Sequence, residues 1–316
     1  MSPSATTVSE RDETTPALFA IVGATGTGKS DLSLDLADAL ASRGTAAEVV
    51  NADAMQLYCG MDIGTAKVPV GERRGISHHL FDVLDVTEDA AVARYQQDAR
   101  AAIEDIHARG RHAILVGGSG LYVSSVLFDF RFPPRDEALR AELEAELADH
   151  GAAALYARLE REDPATAARV DPQNGRRIVR ALEILALGQA THGAALPDEP
   201  VWWRPATVIG LRMERPALIE RLDRRVERMW HEGMLDETAR LREQGLERGK
   251  TASRAIGYAQ ALAQLKGELT QAEAIAETQA LTRRYARRQV SWFKRYADVS
   301  WFEAGTADPA ALAARA

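Results

Sequence analysis

A glycine-rich loop between a strand and a helix constrains the fold of this chain more than any other feature. Residues 23–30 read Gly-Ala-Thr-Gly-Thr-Gly-Lys-Ser, which fits the pattern G-x-x-x-x-G-K-[ST]. An apolar run at residues 18–22 precedes the loop, and a helical pattern follows at residues 29–42. Glycines let backbone amides converge on phosphate oxygens, and the helix N-terminus adds positive potential. The loop therefore predicts a diphosphate-binding site in an α/β protein.

Each position of the loop has an expected role. Lys29 would reach the terminal phosphate, and the Ser30 hydroxyl would ligate Mg²⁺. The other positions would bind the diphosphate through their backbone amides: Gly23, Ala24, Thr25, Gly26, Thr27 and Gly28. A chance glycine turn is the alternative interpretation, and the flanking strand and helix argue against it.

The rest of the chain alternates apolar and helical segments. Apolar runs at residues 47–50, 81–84, 113–116 and 206–210 predict four more strands. Such alternation is typical of a mainly parallel sheet flanked by helices. Residues 124–199 are instead rich in alanine, leucine and charged residues, which predicts an all-helical insertion. The P-loop core would then comprise residues 17–123 and 200–302, with C-terminal helices at 215–232, 235–243, 255–265 and 271–296.

Composition limits the class of protein. The chain has 316 residues, of which 27% are charged, and no apolar run is long enough to cross a membrane. We expect a cytoplasmic protein, because the polar residues 1–16 lack the apolar stretch of a signal peptide. We also expect a monomer. Residues 1–16 and 303–316 are predicted to be flexible tails. Cys59 is the only cysteine, which excludes an internal disulfide.

One carboxylate lies where a parallel sheet would place a catalytic group. Asp53 follows the strand at 47–50, and ligands bind at the carboxyl ends of such strands. An ordinary P-loop NTPase carries a Mg²⁺-binding carboxylate after a later strand, but here residues 117–120 are Gly-Gly-Ser-Gly. From the residues alone, Asp53 is as compatible with a helix N-cap or a turn as with catalysis.

Seven motifs, in their order and spacing, resemble the tRNA dimethylallyltransferases, also called the IPP transferase family. They are residues 23–30, 53–58, 60–67, 78–82, 115–122, 177–183 and 255–258. The string at 61–67, Met-Asp-Ile-Gly-Thr-Ala-Lys, is the most specific, because no general property of P-loops requires it. The resemblance covers nearly all of residues 18–302, although Ala54 stands where the family commonly has serine.

The resemblance implies a prenyltransferase. Its reaction moves a dimethylallyl group from dimethylallyl diphosphate to N6 of adenosine 37, in the anticodon loop of tRNAs that read codons beginning with U. Mg²⁺ would be the cofactor, and tRNA and dimethylallyl diphosphate the partners. The sequence leaves open whether ATP also binds the loop.

Four residues are expected to carry the chemistry. Asp53 would accept the proton of the adenine amine as general base, because that amine is a poor nucleophile. Lys29 and Arg225 would stabilise the departing diphosphate, and by the resemblance Thr25 would reach its bridging oxygen. Arg221 shares a helix face with Arg225 and would join it at the diphosphate. Surface ion pairs with Asp223 or Glu227 are the alternative for both arginines.

The resemblance also implies a set of tRNA contacts. Gln56 and Ser119 would contact the target base or its neighbours, in the same surface as Asp53, Ala54 and Met55. By the resemblance, Arg140 and Arg254 would contact the backbone or loop of the tRNA. Two clusters of cations in the sequence would contact its phosphates, one with Arg176, Arg177 and Arg180 and one with Arg287 and Arg288. For the arginines near residue 287, a solvated helix face is the alternative.

Three rival functions share parts of the pattern. A small-molecule kinase would need the missing carboxylate after residue 116. A prenyltransferase acting on free adenylate would not need a helical insertion to grip tRNA. A nucleotide-binding adaptor would leave Asp53 and the glycine turn at 117–120 without a purpose.

Overall fold

The computed structural model describes residues 15–130, 132–133, 135–188, 201–296 and 298–316. These residues form two compact units. The first contains the described residues up to Leu127 together with Trp202–Ala316, and the second spans Phe128–Val201. The tail predicted at residues 1–16 lies outside the described residues except for its last two positions.

Among the described residues, six strands form one parallel sheet in the first unit. They are β1 (Leu18–Gly23), β2 (Ala47–Asn51), β3 (His78–His79), β4 (His112–Gly117), β5 (Thr207–Arg212) and β6 (Val299–Glu303). Their order across the sheet is β3-β2-β4-β1-β5-β6, and every neighbouring pair is parallel. β1 and β4 are buried along their whole length, as expected for a sheet with helices on both faces. The predicted parallel α/β core is confirmed.

Three helices follow the first strands: α1 (Lys29–Ser42), α2 (Val92–Ala108) and α3 (Gly120–Leu127). The buried residues of α2 are Tyr95, Ala99, Ile103 and Ile106. Their spacing of three or four positions makes one apolar stripe along the helix. In α1, Leu32, Leu36 and Leu40 are buried in the apolar cluster that includes β1, β2 and β4.

The second unit contains only helices as regular elements among its described residues. They are α4 (Glu137–Glu162), α5 (Pro164–Ala167) and α6 (Gly175–Ala186). Gly151 interrupts the helical geometry within α4, with φ 79° and ψ 168°. Apolar residues of α4 and α6, among them Leu143, Leu155, Ile178 and Leu182, form the core of this unit. The helical character predicted for the insertion is therefore confirmed.

The chain then returns to the first unit with β5 and five more helices. They are α7 (Arg215–His231), α8 (Met234–Glu243), α9 (Tyr258–Leu265), α10 (Gln271–Phe293) and α11 (Pro309–Ala313). The four helices predicted between residues 215 and 296 match α7 to α10 within three residues at each end. In the part of the chain that is described, no helix is both long and apolar enough to cross a bilayer.

The strand predicted at residues 81–84 is wrong. β3 ends at His79, and the chain then turns through Leu80 and Asp82, which have φ values of 62° and 57°. The Asp82 carboxylate lies 2.6 Å from the ammonium group of Lys67, which is buried. This ion pair holds the turn, so the apolar residues around it do not continue the strand.

The flexible tail predicted at residues 303–316 is also wrong. β6 extends to Glu303, and α11 follows it. Leu312 is 1% exposed and lies in the same apolar cluster as Leu36 and Leu40 of α1. An alanine-rich composition does not reveal that one leucine is buried against a distant helix.

Candidate active site

The glycine-rich loop leaves the end of β1 in a backbone geometry that requires glycine. Gly23, Gly26 and Gly28 all have positive φ, at 142°, 81° and 86°. A Cβ at Gly26 would also lie 2.9 Å from Leu222 of α7. Gly28 directly precedes α1, so the loop leads into a helix N-terminus, which favours anions.

Lys29 is the first residue of α1 and points back over the loop. Its ammonium group donates a hydrogen bond to the carbonyl of Ala24 at 2.8 Å. Burial lowers the pKa of Lys29 to about 8, the Asp53 carboxylate opposes this shift, and Arg225 adds to it. Lys29, Asp53 and Arg225 therefore belong to one electrostatic cluster.

Arg225 reaches this cluster from α7. Its Nη1 donates to the Thr25 hydroxyl at 2.9 Å, and its Nη2 donates to the carbonyl of Thr65 at 3.4 Å. Asp223 instead pairs with Arg283, at 2.7 Å. The alternative of a surface ion pair with Asp223 or Glu227 is therefore wrong for Arg225. Arg221 is exposed and makes no ion pair with another described residue.

Asp53 follows the end of β2 and is half-buried. Its Oδ1 accepts a hydrogen bond from the backbone amide of Met55 at 3.0 Å, which caps the short 3₁₀ helix Ala54–Leu57. No described residue donates a hydrogen bond to Oδ2. One oxygen thus serves as an N-cap while the other is available, so the two interpretations of this residue are compatible.

Two cavities meet at Asp53. The polar chamber has a volume of about 680 Å³ and is lined by the loop, including Thr25, Lys29 and Ser30, and by Arg221 and Arg225. The apolar chamber has a volume of about 270 Å³ and includes Met55, Val226, Met229 and Ile256. Both chambers are lined by Thr25, Asp53, Thr65, Arg225 and Met229. These five residues form a shared wall between the polar chamber and the mostly apolar one.

Several residues predicted to contact tRNA lie around these chambers. Ala54, Met55, Ser119, Arg254 and Arg288 line the apolar chamber. Gln56 lines the polar chamber, and its Nε2 donates to the carbonyl of Thr65 at 3.1 Å. Arg287 lies on the exposed surface of α10 and lines neither chamber.

The arginines of the second unit differ from one another. Arg140 and Arg180 bind the carboxylate of Glu183, at 2.7 and 2.8 Å, and Glu183 is fully buried. Although burial opposes ionisation, these two hydrogen bonds hold the pKa of Glu183 below its ordinary value. Arg176 and Arg177 are exposed and pair with no carboxylate among the described residues.

Sequence reasoning missed one residue that supports the glycine-rich loop. Gln289 of α10 is 4% exposed, and its Oε1 accepts a hydrogen bond from the amide of Thr25 at 2.8 Å. The hydroxyl of Tyr285 lies 3.3 Å from that of Ser119, beside the apolar chamber, and burial raises the pKa of Tyr285 to about 12. Gln289 is far from Thr25 in sequence, and no local pattern marks it.

The oxygen donors of the polar chamber suit Mg²⁺. The Ser30 hydroxyl lines the chamber and makes no hydrogen bond with another described residue. No group of three or more His, Cys, Asp or Glu that could hold a metal occurs in the described ranges. Mg²⁺ commonly binds one or two protein oxygens together with substrate phosphates, so a single hydroxyl fits that role.

Comparison with known proteins gives one consistent result. The protein-family model described as IPP transferase matches residues 56–296. The tRNA dimethylallyltransferase of Clavibacter sepedonicus is 58% identical over 282 residues, which cover 89% of this chain and 91% of that relative. The tRNA dimethylallyltransferase of Thermobifida fusca (strain YX) is 55% identical over 284 residues, which cover 90% of this chain and 89% of that one.

Solved structures agree with these relatives. The tRNA isopentenylpyrophosphate transferase of Bacillus halodurans is 40% identical with a TM-score of 0.66, over 95% of this chain and 93% of that one. A eukaryotic dimethylallyltransferase acting on tRNA is 30% identical with a TM-score of 0.76, over 92% of this chain and 74% of that one.

Proposed function

Because this chain belongs to the IPP transferase family, we propose that it is a tRNA dimethylallyltransferase that uses the cluster around Asp53 for catalysis. The donor is dimethylallyl diphosphate. The acceptor is N6 of adenosine 37 in tRNAs that read codons beginning with U. The observation that carries this assignment is the shared wall, in which Asp53 stands between the polar chamber with its glycine-rich loop and a mostly apolar chamber.

The polar chamber suits the diphosphate. The glycine-rich loop lines this chamber together with Lys29 and Arg225, and Arg225 lowers the pKa of Lys29, so two positive charges lie close together here. A diphosphate there compensates these charges, and it gains negative charge as the bond to the allylic carbon breaks. Donors already fixed around the leaving group then stabilise the transition state more than the ground state.

The apolar chamber suits a flat base that has left its stack. Met55, Ile256 and Tyr258 offer apolar surface, and Ser119 and Tyr285 offer hydroxyl groups that can hydrogen-bond to base edges. An enzyme that modifies a base must take it out of the stack, and apolar and aromatic side chains then replace the lost stacking. Arg254 and Arg288 at the same chamber suit the adjoining phosphates.

Asp53 connects the two spaces chemically. The N6 amine attacks the primary allylic carbon, the carbon–oxygen bond to the diphosphate breaks, and one amine proton passes to Asp53 Oδ2. Arg225 donates to the Thr25 hydroxyl, so the proton of that hydroxyl is left to donate to the bridging oxygen of the diphosphate. Ser30 would hold Mg²⁺, which would supply further positive charge to the departing diphosphate.

A substrate panel tests the assignment. The protein is incubated with dimethylallyl diphosphate and Mg²⁺ together with unmodified tRNA, AMP or ATP, and the products are identified by mass spectrometry. We expect one dimethylallyl group on tRNA, at the adenosine that follows the anticodon, and none on AMP. Prenylated AMP would support the free-adenylate transferase, and phosphate transfer from ATP would support a kinase.

A further inference from the structure

We propose that Glu237 is a positioning residue that sets the guanidinium of Arg225 for the leaving diphosphate, through the backbone of residues 63–65. This inference rests on the proposed function. Glu237 belongs to α8 and is 3% exposed. Its carboxylate accepts hydrogen bonds from the amide of Ile63 at 2.9 Å, the amide of Gly64 at 3.3 Å and the hydroxyl of Tyr258 at 2.5 Å.

The partners of Glu237 are unusual for a buried carboxylate. It pairs with no Lys or Arg among the described residues, so the burial of its charge is compensated by neutral donors alone. Two of these donors are backbone amides of one short loop. An apolar residue would pack at this position without that desolvation cost, which indicates that the carboxylate is needed to fix the loop.

The loop is also fixed by close packing. A Cβ at Gly64 would lie 2.5 Å from the ring of Tyr258 and 2.8 Å from the Cε of Met234. Gly64 therefore lies directly against Tyr258, and the same tyrosine donates to Glu237. The Glu237 carboxylate, the Tyr258 ring and the backbone of residues 63–65 therefore pack closely together, with little freedom to shift.

This packing fixes the position of the next residue, Thr65. The Thr65 hydroxyl donates to the carbonyl of Met61 at 2.6 Å, which closes the loop on itself. The Thr65 carbonyl then accepts hydrogen bonds from Gln56 at 3.1 Å and from Arg225 at 3.4 Å. Arg225 has only this carbonyl and the Thr25 hydroxyl as hydrogen-bond acceptors among the described residues. A shift of the loop would release one side of the guanidinium.

The arrangement gives a physical reason for two family motifs. Residues 61–67 and 255–258 are far apart in sequence, and neither contains an obvious catalytic group beyond the contacts above. They meet at Glu237, where Gly64 needs the space and Tyr258 supplies the third donor. Glu237 itself lies outside both motifs, so the sequence patterns do not point to it.

A double-mutant cycle tests whether Glu237 acts through Arg225. The variants are Glu237→Gln, Arg225→Ala and their combination, with Glu243→Gln as matched control, because Glu243 is exposed on the same helix. The readout is kcat/KM for dimethylallyl diphosphate at saturating tRNA, with thermal unfolding of each variant. We expect Glu237→Gln to lower kcat/KM by about 10- to 100-fold in the wild-type background but less than about threefold beside Arg225→Ala.

The outcomes separate the possibilities. The inference would be overturned if Glu237→Gln lowered kcat/KM by the same factor in the wild-type protein and in Arg225→Ala. A general loss of stability does not depend on Arg225 and would lower kcat/KM equally in both. Glu243→Gln should keep kcat/KM within about twofold of wild type. If Glu237→Gln does not fold, Tyr258→Phe removes one donor and should show a smaller loss with the same dependence on Arg225. An inactive wild-type protein would count against the proposed function instead.

Discussion

The side-chain amide of Asn51 holds the backbone of Asp53 on both sides. Its oxygen accepts from the Asp53 amide at 2.9 Å, and its nitrogen donates to the Asp53 carbonyl at 3.0 Å. The same nitrogen donates to the carbonyl of Leu80 at 3.0 Å, so the turn after β3 supports the arrangement. Asp53 is thus held at the shared wall by a residue that touches neither chamber.

Removing this support should slow the reaction without removing the carboxylate. We expect Asn51→Ala to lower kcat by about tenfold, because each lost hydrogen bond contributes about 1 kcal/mol to holding Asp53. Asn51→Ser should lose less, since a hydroxyl can still accept from the Asp53 amide. Steady-state kinetics with both substrates measures the effect, and a wild-type kcat for Asn51→Ala would contradict the role.

Two substitutions at Asp53 separate catalysis from capping. Asp53→Ala should lower turnover by about two to four orders of magnitude with little change in tRNA affinity, because a general base acts only in the chemical step. Asp53→Asn keeps an oxygen that can accept from Met55 but cannot take a proton. We expect it to be as slow as Asp53→Ala in single-turnover assays. Recovery of turnover in Asp53→Asn would assign the residue to the N-cap alone.

The pKa of Lys29 predicts an alkaline limit on donor binding. Since its pKa is about 8, Lys29 is charged below pH 8 and becomes neutral above it. We expect kcat/KM for dimethylallyl diphosphate to fall by about tenfold between pH 7 and pH 9, because this ratio reports the free enzyme. Asp53 raises the pKa of Lys29, so in Asp53→Asn the donor affinity should fall at a lower pH. A flat profile between pH 7 and pH 9 would contradict this prediction.

Arg177 and Arg180 lie three residues apart on α6, and their alanine variants are expected to have different effects. Arg177→Ala should reduce the log-log salt slope of tRNA binding by about one, because one phosphate contact is lost. It should weaken cognate and non-cognate tRNA equally, since phosphates carry no sequence information. Arg180→Ala should instead lower the free energy of unfolding by about 1.5–3 kcal/mol, because buried Glu183 loses a charged partner.

The measurements for this pair are salt titrations of tRNA affinity and denaturant unfolding on the same samples. The affinity for dimethylallyl diphosphate should be unchanged in Arg177→Ala, which controls for damage to the polar chamber. The assignment of Arg180 to the internal ion pair would fail if Arg180→Ala reduced the salt slope and left stability unchanged.

The sequence predicted the parts of the site that depend on local order. The loop at residues 23–30 needs glycines at fixed spacing between a strand and a helix, and all three features are contiguous. The location of Asp53 at this edge is predicted because the residue follows a strand, and parallel strands present their carboxyl ends at one edge of the sheet, whereas its role as general base is predicted only with the family resemblance. Asn51 pairs with Val116 of β4, and Val22 of β1 pairs with Gly117, which brings these ends together.

The parts that sequence reasoning missed depend on distant partners. Gln289 lies 264 positions from Thr25, and Glu237 lies 174 positions from Ile63. Arg180 looks like a surface cation until Glu183 is seen to be buried beneath it. Burial and hydrogen-bond partners of single polar residues are set by tertiary packing, and residue type alone does not reveal them.

The correction at residues 303–316 also gives a prediction. Leu312→Ala should lower the free energy of unfolding by about 2–4 kcal/mol, since it leaves a cavity against α1. Arg315→Ala, on the exposed surface after the same helix, should change it by less than about 0.5 kcal/mol. Urea unfolding of both variants is the measurement. Equal free energies of unfolding for Leu312→Ala and wild type would support a flexible tail at residues 303–316 instead.

The position of β6 and α11 has a consequence for synthesis on the ribosome. β1 and the glycine-rich loop come from residues 18–30, whereas the strand that completes their sheet and the helix that covers α1 come from residues 299–313. At about 5–20 residues per second, tens of seconds separate the emergence of these segments. The contiguous unit Phe128–Val201 can fold during that interval, whereas the sheet that contains the earlier apolar strands still lacks β6. Until residues 299–313 emerge, β5 has no β6 to pair with and α1 is not covered by α11, and exposed surfaces of this kind are the reason that chaperones exist.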